Sequence, residues 1–269
     1  MAAGGRLTRG RRQPGSLVVV GTGIKLVAHA TSEAIFWLRR AEKLFHLLTD
    51  TAAEAWIQRL NPSAISLADC YAQGKSREKS YRDMTDRILT AVRGGYQVCA
   101  AFYGHPGVFA DTPHQAIRRA RREGFSARML PGISSEDCLF ADLGVDPGLH
   151  GCQSFEATDF LASRRRFDPT SALILWQVGV LGEPSVRPDM RCRPERLQFL
   201  KQVLCRHYPM RHTVFLYEAA QFPICDPIIK RVPLGQLGRQ ALLPMTTLYI
   251  PPKASRATDS RIARWLNEK

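Results

Sequence analysis

Residues 98–113 read VCAAFYGHPGVFADTP, and this stretch limits the fold more than any other. The apolar run at 98–102 predicts a buried strand. It breaks at Tyr103, Gly104, His105, Pro106 and Gly107. Glycine and proline packed so closely demand a constrained loop whose backbone lies open to close approach. A helix pattern opens near Pro113. Strand, glycine-rich loop and helix is how an α/β protein presents main-chain groups to a small ligand. An ordinary strand-to-helix turn has the same letters, so the rest of the chain must decide.

The same grammar recurs. Residues 17–20 are apolar and β-branched and end in Gly21-Thr22-Gly23, a first strand and its turn. A dinucleotide fingerprint needs a third glycine where Leu26 stands, which excludes that reading. Thr31 is a helix N-cap with Glu33 in the first turn, followed by the stripe Ala34, Ile35, Leu38 and Ala41. Residues 43–48 predict a second strand. A helix starts at Asp50 or Thr51 and stops at Asn61-Pro62. Met84, Ile88, Leu89 and Val92 mark another helix, closed by Gly94-Gly95. A basic-faced helix at 113–123 and a strand at 125–130 follow. Pro131-Gly132-Ile133-Ser134-Ser135 then turns into a helix at 136–143, a second place for polar ligand groups. Beyond it, strands are predicted at 151–156, 172–178, 213–217 and 246–250, with a helix at 194–207. The class is α/β. The expected parts are a disordered basic tail at 1–14, an N-terminal α/β lobe at 15–129, a C-terminal α/β lobe at 130–252 and a short tail or helix at 253–269. That last piece is amphipathic through Ile262, Trp265 and Leu266.

One segment stands apart. Residues 66–79 are poor in apolar side chains and carry Gly74 in their middle, predicting a loop that enters a helix at about Ser80. Tyr71, Arg77 and Tyr81 are its large polar groups. Arg77 and Tyr81 are four apart and share a face if the helix starts early. A solvated loop with two packing tyrosines fits the same residues.

At 269 residues the chain has room for one large or two modest domains. Its net charge of +14 includes Arg6, Arg9, Arg11 and Arg12 in the tail, with further clusters at Arg118-Arg119, Arg121-Arg122, 164–166 and 187–193. These suit phosphate or an acidic partner, or are solvated faces. No aromatics interleave with them as in a single-strand binding platform, which argues against nucleic acid. No apolar run approaches the ~18 residues of a membrane span, and no long apolar segment follows the basic N-terminus as in a secretion signal. The seven cysteines are scattered without a C-x-x-C, and Cys192, Cys205, His207 and His212 fit no zinc spacing. No metal site is expected, and the thiols are read as reduced in a cytoplasmic protein.

Taken together, GTG after the first strand, FYGHPGVF, MLPGISSEDCLFADLG, ILWQVG and TTLYIPP fall in a telling order. The chain thereby resembles the S-adenosylmethionine-dependent tetrapyrrole (corrin/porphyrin) methylase superfamily. Within it, the chain is most similar to the borosin-type, omphalotin methyltransferase-like peptide backbone α-N-methyltransferases, from about Gly15 to Pro252. Gly104-His105-Pro106 stands where many tetrapyrrole methylases have an acidic G-D-P. The resemblance implies two α/β lobes with the cofactor in the cleft between them. It implies that Tyr103, His105 and Val108 lie along S-adenosylmethionine, with Ser134, Ser135, Gln177, Tyr217, Ala219, Thr246 and Thr247 completing the pocket. It also places Tyr71, Arg77 and Tyr81 over the peptide to be methylated.

The chemistry agrees with such a set. An amide nitrogen is a poor nucleophile because its lone pair is delocalised into the carbonyl. Methylation requires removal of its proton or charge on the oxygen. A phenolate is a suitable base, but a free phenol titrates near ~10, and a neighbouring guanidinium favours the ionised form. Tyr81 is therefore the candidate base, Arg77 the electrostatic stabiliser and Tyr71 an orienting group or alternate proton carrier; S-adenosylhomocysteine is the product. The omphalotin type carries its substrate as a C-terminal extension. Here the chain stops soon after TTLYIPP, so the expectation is a separate precursor methylated in trans, by a homodimer or a heterotetramer with the precursor. A tetrapyrrole or RNA methyltransferase of the same superfamily, or a degenerate scaffold subunit, are the competing expectations.

Overall fold

The computed structural model describes residues 14–48, 50–72, 74–183, 192–254 and 259–267. Apart from Pro14, the tail expected to be disordered lies outside the described residues, as do Arg187 and Arg191. The chain divides into two compact units, one running through Ser135 and including Gln221–Pro223, the other holding Glu136–Ala220 and the chain from Ile224 onward. Among the described residues no helix is long and apolar enough to cross a membrane.

The first unit alternates strand and helix: β1 (Ser16–Gly21), α1 (Ser32–Arg40), β2 (Lys43–Leu47), α2 (Thr51–Leu60), β3 (Ala64–Ser66), α3 (Arg77–Arg93), β4 (Gln97–Phe102), α4 (Asp111–Arg122) and β5 (Ser126–Met129). Local chemistry sets the helix starts. Thr31 Oγ1 accepts from Ala34 N–H at 3.1 Å, and Asp50 Oδ1 accepts from Ala53 N–H at 2.8 Å. The strands form a five-stranded sheet in the order β3-β2-β4-β1-β5, every pairing parallel. The two-residue period of each strand sorts side chains to opposite faces. Leu17, Val19, Val98, Ala100 and Phe102 pack with Met84, Ile88 and Leu89 of α3 and Ala116 and Ala120 of α4. Val18, Val20, Cys99 and Ala101 pack with Ala34 and Leu38 of α1 and Ile57 of α2. A sheet covered on both faces suits parallel pairing.

The first unit extends past the expected division after residue 129. Leu130 N–H donates to Val19 O at 2.8 Å, and its side chain joins the core of Val18 and Val20. That pairing carries the chain to Ser135 before the second unit begins.

The second unit contains α5 (Ser135–Leu143, from its second residue), α6 (Pro147–His150), β6 (Cys152–Glu156), α7 (Ala157–Ala162), β7 (Ala172–Trp176), α8 (Pro194–Leu204), β8 (Thr213–Glu218), β9 (Ile228–Pro233), β10 (Thr247–Ile250) and α9 (Ser260–Asn267). Its sheet runs β6-β7-β10-β8-β9, with only the β6–β7 pair parallel. Leu197, Leu200 and Leu204 of α8 bury one face against Leu173, Leu175, Leu216, Leu248 and Ile250. β9 was not expected from the sequence. It is an edge strand with Ile228 and Ile229 exposed and Val232 buried, so it shows no apolar run flanked by turns. On α9, Ile262, Trp265 and Leu266 are all exposed.

Candidate functional site

Three glycine turns meet in the first unit, at the carboxyl ends of the adjacent strands β4, β1 and β5. Gly23 N–H donates to Gly104 O at 3.2 Å, and Gly104 N–H returns a bond to Gly23 O at 3.0 Å. Gly104 sits at φ +70°, and a side chain on Gly21 would lie 2.2 Å from Gly104 O. One on Gly132 would lie 2.9 Å from that oxygen and 3.1 Å from Gly21 Cα. The turns thus touch main chain to main chain, which only glycine allows. The carboxyl end of a parallel sheet is also where open α/β folds receive ligands.

The loop after β4 makes its own internal turn. Gly107 N–H donates to His105 Nδ1 at 2.9 Å, and Val108 N–H donates to His105 O at 3.2 Å. A carboxylate two residues before an N–H makes the same kind of turn. The imidazole of His105 therefore supplies the acceptor that an aspartate would. Tyr103, held by its N–H to Leu47 O at 3.2 Å, lines a small pocket with Thr22, Gly23, Leu48, Asp50 and Trp56. Ser134 is buried and Ser135 half-buried at the entry to α5.

The polar segment upstream is ordered by ion pairs. A 3₁₀ turn at Ala68–Cys70 delivers Tyr71. Arg87 Nη1 holds Asp69 at 2.6 Å, while Lys75 Nζ donates to Cys70 O at 2.5 Å and pairs with Asp83 at 2.6 Å. α3 starts at Arg77 rather than near Ser80, because Ser76 Oγ accepts from Lys79 N–H at 3.2 Å and caps the helix there. Arg77 and Tyr81 are therefore one turn apart on α3. Tyr71 and Tyr81 meet edge to face with ring centroids 6.5 Å apart, packed on the core beneath α3. Burial raises the Tyr71 phenol above its ordinary range; the charge of Tyr81 and a hydrogen bond to it push the same way, and Arg77 opposes them. The Arg77 Nε atom is buried and has no hydrogen-bond partner among the described residues. Buried donors are normally paired, so this one marks a place where an acceptor belongs.

The second unit brings its five expected residues to one end of its sheet. Antiparallel pairing of β7 with β10 and of β10 with β8 sets Gln177, Thr246-Thr247 and Tyr217 to Ala219 side by side. Gln177 is left-handed, at φ 60° and ψ 32°. Gly179 packs so tightly on the turn before β10 that a side chain would fall 1.7 Å from Leu243 O. Two of the polar side chains here are committed to the fold. Tyr217 OH donates to Asp142 Oδ2 at 2.7 Å. Thr246 Oγ1 donates to Glu218 Oε1 at 2.6 Å and accepts from Leu243 N–H at 3.0 Å. Asp142 and Glu218, which anchor these groups, carry no sequence signal that would have singled them out. Neither does Glu136, whose carboxyl is raised by burial and by Asp137 and lowered by a hydrogen bond from Ser154. Ser154 Oγ in turn accepts from Trp176 Nε1 at 2.5 Å.

Residues 16–223 match the family described as Tetrapyrrole (Corrin/Porphyrin) Methylases. The chain is 41% identical over 258 residues to a methyltransferase/ribosomally synthesized cyclic peptide dendrothelin A precursor of Dendrothele bispora, covering 94% of this chain and 62% of that protein. It is 38% identical over 263 residues to the corresponding omphalotin A precursor protein of Omphalotus olearius, covering 96% of this chain and 63% of the relative. The chain thus spans about three fifths of the length of these curated relatives. A uroporphyrin-III C-methyltransferase from Thermus thermophilus shares the fold, with a TM-score of 0.63 at 19% identity over 89% of this chain and 93% of that one.

Proposed function

The chain belongs to the tetrapyrrole (corrin/porphyrin) methylases, and from that premise we propose that it is an S-adenosylmethionine-dependent methyltransferase of peptide backbone amide nitrogens. In this proposal the peptide comes in trans from a separate precursor, and the enzyme works as a homodimer or as a heterotetramer with the precursor. The observation that carries the proposal is the trio Tyr71, Arg77 and Tyr81, with its unpartnered guanidinium Nε. The relatives named as methyltransferase/cyclic peptide precursors support the substrate class.

The chain's own groups divide the work. Arg77 donates to the peptide carbonyl oxygen, where negative charge grows as the amide proton leaves. Tyr71 keeps its proton, because burial and Tyr81 both disfavour its phenolate. Tyr81, as its phenolate, is then the base that takes the amide proton. The glycine-bare turns after β1, β4 and β5 fit a small ligand lying along the main chain, and Tyr103, His105, Val108, Ser134 and Ser135 would hold it there. In the second unit, Gln177, Tyr217, Ala219, Thr246 and Thr247 are the positions that the family resemblance assigns to the cofactor. S-adenosylmethionine, when bound, supplies an electrophilic methyl on a sulfonium, a cation to which the ring of Tyr103 is attractive.

The test mixes the purified chain with S-adenosylmethionine and a separate precursor peptide. Tandem mass spectrometry is expected to place methyl increments on backbone nitrogens. Methyls confined to side chains, or turnover of a tetrapyrrole in place of peptide, would refute the proposal.

A further inference from the structure

We propose that His114, on the first turn of α4, is a positioning residue for the loop that follows β4. The inference rests on the reading of that loop as the cofactor cradle. Gly107, within the loop, has both main-chain groups held by imidazoles. Its N–H donates to His105 Nδ1 at 2.9 Å, and its carbonyl oxygen is 2.9 Å from His114 Nε2. A carbonyl oxygen can only accept, so His114 carries its hydrogen on Nε2 and donates it.

What this bond secures is visible two residues later. Phe109 sits at φ 50°, in the left-handed region, and is not a glycine. Such a conformation persists only where the surroundings over-determine it. α4 begins after Ala110, which offers no side-chain cap to the helix. The bond from His114 back to Gly107 therefore closes residues 107–114 into a ring that contains Phe109. Gly107 has little room of its own, since a side chain there would come within 3.0 Å of Met129 Sδ and 3.1 Å of His105 Cε1. His114 fixes the outer end of the loop as His105 fixes the inner end. It acts on the cofactor through the loop and does not touch the reacting atoms. Because His114 is exposed and makes its bond at the surface, replacing it does not open a cavity in the core.

The experiment compares the full chain with His114→Leu and His114→Gln. Loss of one neutral hydrogen bond predicts a roughly five- to tenfold weaker affinity for S-adenosylhomocysteine in the leucine variant, read by calorimetry. The KM for S-adenosylmethionine should rise by a similar factor, with kcat at saturating cofactor falling less. Glutamine keeps a donor of similar reach and should restore affinity to within about twofold. Wild-type affinity in His114→Leu, or equal defects in both variants, would overturn the proposal. Placing His114→Leu in a Phe109→Gly background should shrink the defect, since glycine holds that φ without strain; an undiminished defect counts against the ring. If the wild-type chain binds no S-adenosylhomocysteine, the cofactor reading fails instead. His114 is then judged by amide exchange at 107–109, which must be faster in the leucine variant for the positioning role to stand.

Discussion

The two units are both α/β, yet they offer their polar groups in different ways. In the first unit, every strand of the parallel sheet points its carboxyl end the same way, so the turns after β1, β4 and β5 gather with main chain bare. In the same unit, the Tyr71–Tyr81 segment keeps a buried guanidinium donor, Arg77 Nε, with no partner among the described residues. In the second unit the mixed sheet also collects its expected residues at one end, but there Tyr217 and Thr246 are tied to Asp142 and Glu218. Family likeness weights all these positions alike. Their hydrogen bonds separate them: Tyr217 and Thr246 act as scaffolding whose main chain can face a ligand, whereas Arg77 has capacity left for one.

The contrast is sharpest at Arg77. Arg77→Ala is expected to slow peptide methylation by about 10²–10³-fold, the scale of losing a charge-stabilising donor. Affinity for S-adenosylhomocysteine and thermal stability should hold, since no protein partner of Nε is lost. Initial rates by mass spectrometry beside a melting curve decide the matter, and a large fall in Tm would erase the distinction between the units. Tyr217→Phe should behave in the opposite sense. It leaves Asp142 without its donor, so urea unfolding should show about 1–3 kcal/mol less stability, with the greater loss in stability rather than in cofactor affinity.

The smallest effect guards against reading every orphaned atom as functional. His46 Nδ1 is also buried without a hydrogen bond among the described residues, 3.9 Å from Glu54 Oε1, but it lies inside the sheet on β2. Burial lowers its pKa from 6.5, against a weaker opposing pull from Glu54. The unfolded chain therefore binds the proton more readily than the folded one. The stability tied to neutral His46 is complete above pH 6.5 and is lost as pH falls from there through the lower folded value. The loss is measured as a fall in Tm across that window that His46→Gln flattens. A wild-type profile as flat as the variant's would remove His46 from this account.

Much of the fold was legible because the sequence states it twice, in period and in punctuation. β1 and β4 are apolar runs closed by glycine, and α1 and α2 begin where Thr31 and Asp50 offer a side-chain oxygen. α3 was placed too late because its first turn, Arg77-Glu78-Lys79, has no apolar stripe; Ser76 was the overlooked signal. β9 escaped because most of its residues face solvent. The three residues of the upstream trio could be named from the sequence through likeness, but their meeting could not, since the ring contact of Tyr71 with Tyr81 joins a 3₁₀ turn to a helix and leaves no periodic trace. The engagement of Tyr217 was equally hidden, as Asp142 lies 75 residues away along the chain.

The contact among Gly21, Gly104 and Gly132 has a consequence for how such a protein can change. A side chain on Gly21 or Gly132 collides with the backbone of another turn, and Gly104 holds a φ of +70° that glycine alone takes freely, so a tolerated substitution would need simultaneous shifts in segments more than 100 residues apart at their widest sequence separation, Gly21 to Gly132. Selection, natural or in the laboratory, therefore meets these turns as one inherited block that single steps cannot alter. Variation has its open ground elsewhere, on exposed positions around the trio such as Ala72 and Lys79.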